Sequence, residues 1–205
     1  MEKNIKKYAF IDVQNTDGTT KQLLGFAVDW NRLYLFLKNI KHCDKIFMYT
    51  GIDKDDSYSI KMWRDLENTG CNIKSKIVAD YKNKNKQLKL ICPKCNYRFV
   101  KCFNGGYNHK ANCDVDLTVD AMQLLGEDIK IYLFTGDGDF VYLVETAVKN
   151  KTKVAVVSSN EKIKYGPNRN TRRLSKKLRE LEGKYFGIVA NEDINNYRYK
   201  IETTN

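Results

Sequence analysis

The sequence predicts an α/β domain with a mostly parallel central sheet of about five to six strands, flanked by helices. Three observations lead to this prediction. Short apolar runs rich in β-branched residues alternate with stretches of helical periodicity along most of the chain. The connections between them are short. The apolar run from Ile131 to Phe134 stops at a glycine-rich turn, and a helical pattern then begins at Phe140, which is half of a βαβ unit.

The individual elements follow from the same patterns, taken in chain order. The predicted strands are 7–12, 45–50, 72–78, 131–134 and 153–157, with 185–189 as a further candidate. The predicted helices are 30–40, capped by Asp29, followed by 57–68, 114–125, 140–150 and a basic helix over 170–182. Residues 17–20 are predicted to form a loop, since Asp17 and Gly18 are typical loop residues.

Length, charge and cysteine content limit the number of domains, the kind of partner and the location that can be expected. The 205 residues fit one domain, 1–205, with a small inserted module at 81–113. The net charge of +11 and the pI near 9.2 indicate a polyanionic partner, either nucleic acid or an acidic membrane surface, although abundant lysine can also serve only solvation. The N-terminal apolar run is too short for a signal peptide or a membrane span. Six cysteines without a secretory signal favour a reducing compartment, so a cytoplasmic location is expected.

Four aspartates are predicted to meet at one edge of the sheet. Asp12 ends the first strand, Asp114 opens a helix, and Asp137 and Asp139 follow the fourth strand. Strand ends and helix starts share one edge of a parallel sheet. Close carboxylates repel one another unless a cation neutralises them, and oxygen ligands suit Mg²⁺ or Mn²⁺. Taken singly, Asp114 and Asp139 could be helix caps and Asp137 a turn residue, so the prediction depends on all four.

Three sequence blocks together resemble the NYN domain family, a branch of the PIN-like nuclease superfamily. The blocks are Phe10-Ile-Asp-x-x-Asn15, Lys110-Ala-Asn-Cys-Asp-Val-Asp-Leu-Thr-Val-Asp120 and Thr135-Gly-Asp-Gly-Asp-Phe140. The resemblance extends from about residue 8 to 182 and implies a Rossmann-like sheet and metal-dependent cleavage of RNA. The chain departs from the family at Ala111, where a glycine is frequent.

The resemblance also implies roles for individual residues. Asp12, Asp114, Asp137 and Asp139 match the family's metal-binding acids. Asn15 would orient that site or contact a phosphate. Asp120 matches a second polar position of the middle block, but six residues of helix turn it away from Asp114.

The inserted module, residues 81–113, contains a candidate zinc site. No acidic residue occurs between Tyr81 and Cys113. Cys92 and Cys95 form a Cys-x₂-Cys pair, and with Cys102 and His109 they would provide the four ligands of a structural Zn²⁺ site. Cys113 is the alternative fourth ligand, although a small buried side chain is expected there. The absence of any metal remains the competing interpretation.

Basic and aromatic residues suggest where nucleic acid would bind. Rings and lysines alternate in the module, which suits either a single strand of RNA or packing within the module itself. Basic or polar residues near the aspartates and in the later helix are the other candidates for RNA contact: Lys110, Asn112, Arg169, Arg172, Arg173 and Lys176.

The leading hypothesis is a metal-dependent ribonuclease that hydrolyses phosphodiester bonds of single-stranded RNA. The alternative is a non-catalytic RNA-binding or scaffold module of the same fold. A Rossmann-type phosphatase with Asp12 as the nucleophile fits less well, because Gln14 occupies the position where that mechanism requires a second acid. The sequence leaves open a homo-oligomer or a partner protein.

Overall fold

A computed structural model describes residues 5–165 and 169–204, and at residues 81–82, 107–110, 163–165 and 169–171 it describes the backbone alone. Numbered along the chain, the strands of this part are β1 Lys6–Asp12, β2 Lys45–Ile52, β3 Asn72–Ile77, β4 Ala79–Lys82, β5 Lys86–Ile91, β6 Arg98–Phe103, β7 Tyr107–Lys110, β8 Ile129–Phe134, β9 Lys153–Ser158, β10 Lys162–Tyr165, β11 Arg169–Arg172 and β12 Val189–Asp193.

The helices pack mainly on the faces of the central sheet. They are α1 Val13–Thr19, α2 Trp30–Asn39, α3 Ser57–Asn68, α4 Asp114–Met122, α5 Val141–Lys149, α6 Lys176–Lys184 and the short α7 Arg198–Ile201. A π-helical turn, Thr20–Leu24, continues α1, and 3₁₀ turns at Gly138–Phe140 and Ile194–Tyr197 precede α5 and α7.

Six strands form one fully parallel sheet in the order β12-β9-β8-β1-β2-β3. The chain builds outward from β1 through β2 to β3, then returns to the other side of β1 and builds outward again through β8, β9 and β12. The connections after β1 and β8 therefore leave in opposite directions. In open α/β sheets the crevice at such a switch point, beyond the carboxyl ends of the strands, is where ligands bind.

The core lies on both faces of this sheet, which explains why its strands are almost continuously apolar. In β1, Ala9 and Ile11 face a cluster with α2 and α3, whereas Tyr8 and Phe10 face a second cluster with α4, α5 and α6. This six-stranded α/β arrangement confirms the predicted fold class.

Three local predictions were wrong. The basic helix does not begin at residue 170, because β11 pairs with β10 as an antiparallel hairpin and the hydroxyl of Ser175 caps α6 by accepting the Leu178 N–H at 3.2 Å. Residues 17–20 are helical, since Asp12 caps α1 and the Thr19 hydroxyl bonds to the Asn15 carbonyl at 2.9 Å. The last strand lies at 189–193 and not at 185–189.

Residues 79–110 form an antiparallel two-stranded projection, called the arm below. Its base is the β4–β7 pair, and its outer part is the β5–β6 hairpin. The Asn83 N–H donates to the Gly106 carbonyl at 2.9 Å, which joins the two ladders. The two buried core clusters are built from described residues outside the arm.

No helix in the described ranges is both long and apolar enough to span a membrane.

Candidate active site

Asp12 lies at the end of β1, where the chain turns into α1. One carboxylate oxygen accepts the Asn15 N–H at 3.1 Å, and the other accepts the Thr135 hydroxyl at 3.4 Å. The pKa of Asp12 is raised to about 6, first by burial and then by the negative charges of Asp114 and Asp137, against the lowering effect of these hydrogen bonds. Asp114 and Asp137, from distant parts of the sequence, are therefore both close enough to repel the charge of Asp12.

Asn15 positions the turn that follows β8. Its Oδ1 accepts the Gly136 N–H at 2.8 Å. Only glycine fits at position 136, because an added Cβ would collide with the backbone carbonyl of Arg173 and would lie 2.7 Å from the Ser158 hydroxyl. Asn15 thus acts on the site through the backbone of this turn, which is one of the two roles predicted for it.

Thr135 links the two sides of the site, and the sequence analysis missed this role. Its hydroxyl donates to Asp12 and accepts the Asp137 N–H at 3.2 Å. Asp137 in turn accepts the Asp139 N–H at 3.0 Å and so caps the 3₁₀ turn before α5. Asp137 and Asp139 are both solvent-exposed. The sequence does contain a feature that could have indicated this role: Thr135 is a hydroxyl residue that lies between a buried strand and two acids.

Asp114 opens α4 on the other side of the same cleft. Its N–H donates to the Asn112 Oδ1 at 2.8 Å, so Asn112 supports the start of the helix. Asp12 and Asp114 both line this cleft, together with Gly51 and Ala111. An added Cβ at Gly51 would lie 2.7 Å from the Cβ of Ala111, so Gly51 makes room for the Ala111 methyl. The departure from the family at 111 is accommodated in this way.

Asp120 lies outside the cluster, contrary to its inclusion among the predicted catalytic residues. It accepts the hydroxyl of the buried Tyr49 at 2.8 Å. Burial and then this hydrogen bond raise the pKa of Tyr49. Asp120 therefore provides the hydrogen-bond acceptor for the hydroxyl of a buried tyrosine. It lines a groove next to the cleft, beside Lys76 and Asp116, which form an ion pair.

Two grooves flank the acidic cleft. One, of about 340 Å³, lies between the end of β3 and α4 and shares Cys113 with the cleft. The other, of about 530 Å³, lies between α1, α2 and α3 and shares Gln14 and Gly51 with the cleft. The second groove is lined by Tyr58, which is 78% exposed, and by Trp30. Together with the cleft they form a path that passes Asp12 and Asp114.

The predicted RNA-contacting residues are dispersed. Arg173 lies near the site, but its guanidinium bonds to Gln22 and lies over Gly18, where an added Cβ would be 3.3 Å from it. Arg172 is half-buried, and Lys176 is exposed and pairs with Glu180 at 3.5 Å. The side chains of Lys110 and Arg169 lie outside the described part of the structure.

The structure does not bring the predicted zinc ligands together within one chain. Cys92 and Cys95 lie in the turn at the tip of the β5–β6 hairpin, whereas Cys102 lies opposite Gln87. Four residues of extended strand, about 13 Å, separate Cys102 from the tip end of the ladder. The side chain of His109 is not described, but its backbone pairs with Asp80 at the base of the arm.

Cys113, the alternative fourth ligand, is also far from the tip of the arm. Its sulfur bonds to the Thr50 carbonyl at 3.6 Å within the core. Cys113 is therefore the small buried side chain that was expected at this position.

The acidic cluster has the donors that a hard divalent cation prefers. Among the described side chains, no group of three or more His, Cys, Asp or Glu residues forms a ready-made metal cage. Mg²⁺ does not require one, because it keeps several waters and binds proteins through one or two carboxylates. The repulsion of Asp12 by Asp114 and by Asp137 is what a bound cation would relieve. The residues therefore fit Mg²⁺ or Mn²⁺.

A parallel sheet in this strand order, with carboxylates converging at its switch point, defines a Rossmann-like domain of the PIN-like class. The chain belongs to the NYN domain family, whose sequence pattern matches residues 7–175. NYN domains are a PIN-like nuclease family.

Two similar proteins cover nearly the whole chain. The low amplitude and bright protein LabA of Synechococcus elongatus is 24% identical over 199 residues, which are 95% of this chain and 87% of that protein. The crystal structure of a protein of unknown function from Vibrio parahaemolyticus superposes with a TM-score of 0.61 at 21% identity and covers 95% of both chains. At this identity, the structural likeness shows a shared fold.

Proposed function

We propose that the protein is a metal-dependent ribonuclease that hydrolyses phosphodiester bonds in single-stranded RNA. The observation that carries this proposal is the convergence of Asp12, Asp114 and Asp137 at the switch point of a nuclease-family fold. Like charges held close to the part-buried Asp12 are costly to maintain unless a cation and an anionic substrate use them.

Asp12, Asp114 and Asp137 would hold Mg²⁺ or Mn²⁺, with exposed Asp139 beside them. When bound, such an ion activates a water and neutralises negative charge on the phosphodiester. The chain's own groups fix the cluster: the Asn15 N–H and the Thr135 hydroxyl orient Asp12. The side-chain oxygen of Asn15 holds the turn that carries Asp137.

Single-stranded RNA suits the surroundings of the cleft better than a small phosphate ester does. The two grooves extend on either side of the carboxylates, and the ring of Tyr58 is exposed for stacking on a base. The net charge of +11 favours a long polyanion. A Rossmann-type phosphatase would not need either feature.

The test is cleavage of a labelled single-stranded RNA with Mg²⁺, with Mn²⁺ and with a chelator. We expect cleavage only with metal, and we expect D114N and D137N to lose at least about 100-fold in rate, because each removes a ligand charge. D65N is the control: it also neutralises an aspartate, but one that is exposed on α3 and lines neither the cleft nor the two grooves, and it should stay within about threefold of wild type.

Cleavage by D114N and D137N at the wild-type rate, after identical purification, would overturn the proposal. Salt-dependent RNA binding without cleavage by the wild type would instead support the non-catalytic RNA-binding module.

A further inference from the structure

The tip of the arm carries two thiols in one tight turn. The Cys92 N–H donates to the Tyr97 carbonyl and the Asn96 N–H to the Cys92 carbonyl, both at 2.9 Å, which closes the turn. The backbone amides of Lys94 and Cys95, and the Cys95 thiol, lie within hydrogen-bond reach of the Cys92 sulfur. Both thiols are thus held on one side of the turn, and Cys95 is solvent-exposed.

Two thiolates from a Cys-x₂-Cys turn are half of a closed tetrahedral zinc site. The other cysteines of the chain cannot complete it: Cys102 lies down the ladder, and the remaining three are buried in the central domain. No third Cys, His, Asp or Glu side chain joins the pair among the residues whose side chains are described. The backbone of His109 lies at the base of the arm, so no described side chain of the arm supplies the missing ligands at its tip.

One face of the outer hairpin carries four apolar side chains with two lysines among them. The β5–β6 register places Leu88, Leu90, Phe99 and Phe103 on this face together with Lys86 and Lys101, and the Lys101 ammonium lies 5.2 Å from the centroid of the Phe103 ring. Leu88 is 50% exposed, Phe99 40% and Phe103 39%. An isolated two-stranded hairpin is marginally stable in water, and this one projects outside the core clusters. Packing this face against an identical one would cover its apolar side chains and would place the two tips together, with the ammonium groups of Lys86 and Lys101 kept in water at the margin.

We propose that two copies of the chain associate through their arms and share one Zn²⁺, bound by Cys92 and Cys95 of each copy. The arms lie side by side, related by a twofold axis that runs along them, so that the apolar side chains of these faces pack together and the four sulfurs surround the metal. Four thiolates and Zn²⁺ leave two negative charges, which Lys94 and Arg98 at each tip offset. This dimer is independent of the proposed cleavage, because the arm tip and the aspartate cluster share no residue.

The test uses the full chain, purified with a non-chelating reductant and supplied with Zn²⁺, with metal content and molar mass measured on the same fractions. We expect about one zinc per two chains and a mass twice the monomer's 23.9 kDa. A chelator should convert the dimer to monomer, whereas fresh reductant should not. C92S and C95S should each be monomeric and lose zinc. C102S, which removes a thiol from the same arm, should keep both.

Three results would overturn the inference: no zinc, about one zinc in each monomer, or a dimer that C92S and C95S leave unchanged. Loss of the dimer on reduction alone would identify a disulfide instead and would also overturn it. None of these readouts depends on RNA cleavage, so failure here and failure of the ribonuclease proposal are distinguishable.

Discussion

Asp12 is held where a negative charge is unfavourable. Burial and two neighbouring carboxylates raise its pKa to about 6 from 3.8. A carboxylate whose pKa is raised on folding destabilises the folded state when ionised: the cost is fully present above about pH 6 and disappears as the pH falls to 3.8. At pH 7 without metal, the ionised Asp12 therefore lowers the stability of the folded protein, and its charge is useful only when a ligand binds.

We expect D12N to be more stable than wild type in metal-free buffer at pH 7, by about 1–2 kcal/mol after allowance for partial exposure. The amide oxygen of the new side chain can still accept the Asn15 N–H. Denaturant unfolding with a chelator measures the difference, and Mg²⁺ or Mn²⁺ should raise the melting temperature of the wild type but not of D12N. D120N serves as the control. A D12N variant less stable than wild type would contradict the account of the cluster.

At the scale of elements, the sequence was sufficient wherever burial sets the periodicity. The strands of the central sheet are apolar on both faces, and α3 has helical spacing with a clear end, so its predicted and observed ranges coincide at 57–68. The prediction of a helix beginning at residue 170 was wrong because the closely spaced charges there fit both helical and strand periodicity. Pairing with β10 determines that the segment is a strand. The zinc prediction counted ligands along the chain, but strand pairing fixes Cys102 away from the tip.

The acidic cluster could be predicted because it needs only the strand ends of a parallel sheet. Asp12, Asp114 and Asp137 follow from that topology. The sequence marks Thr135 as a candidate, but its bond to Asp12 and the bond of Asp120 to Tyr49 could not be predicted, since both depend on side-chain directions across neighbouring elements.

The outer part of the arm should be removable without loss of the folded domain. Replacing residues 85–104 with an Asn-Gly turn joins Lys84 to Gly105, which already lie close together. We expect the free energy of unfolding to change by less than about 0.5 kcal/mol, because the core clusters contain no described arm residue. RNA affinity should fall and depend less steeply on salt, since Lys86, Lys89, Lys94, Arg98 and Lys101 are removed.

Binding to single-stranded RNA across a salt series measures this, in the D137N background to prevent cleavage. The slope of log affinity against log salt should decrease by up to about 3, if most of the five cations contact phosphates. An unchanged slope would mean that the arm contributes no phosphate contacts, and a large loss of stability would mean that it is part of the folding unit.

At the scale of the whole molecule, the two edges of the sheet should behave differently. The carboxyl edge carries the aspartates, both grooves and the exposed ring of Tyr58 at the start of α3. The opposite edge carries Phe186, which precedes β12 and is 93% exposed. Both rings are available to solvent, but only Tyr58 lies beside the proposed path of the strand. Net charge acts on both edges alike, whereas base stacking requires a ring on the binding path.

We therefore expect Y58A to weaken binding of single-stranded RNA by about 1–3 kcal/mol, the usual value of one base stacked on an aromatic ring. F186A removes a ring of similar exposure from the other edge and should leave affinity unchanged. Both variants are compared in the D137N background at one fixed salt concentration, because neither substitution alters charge. Equal losses of affinity for the two variants would mean that the RNA does not follow the proposed path. A loss of affinity for F186A alone would indicate that the RNA binds at the amino edge of the sheet.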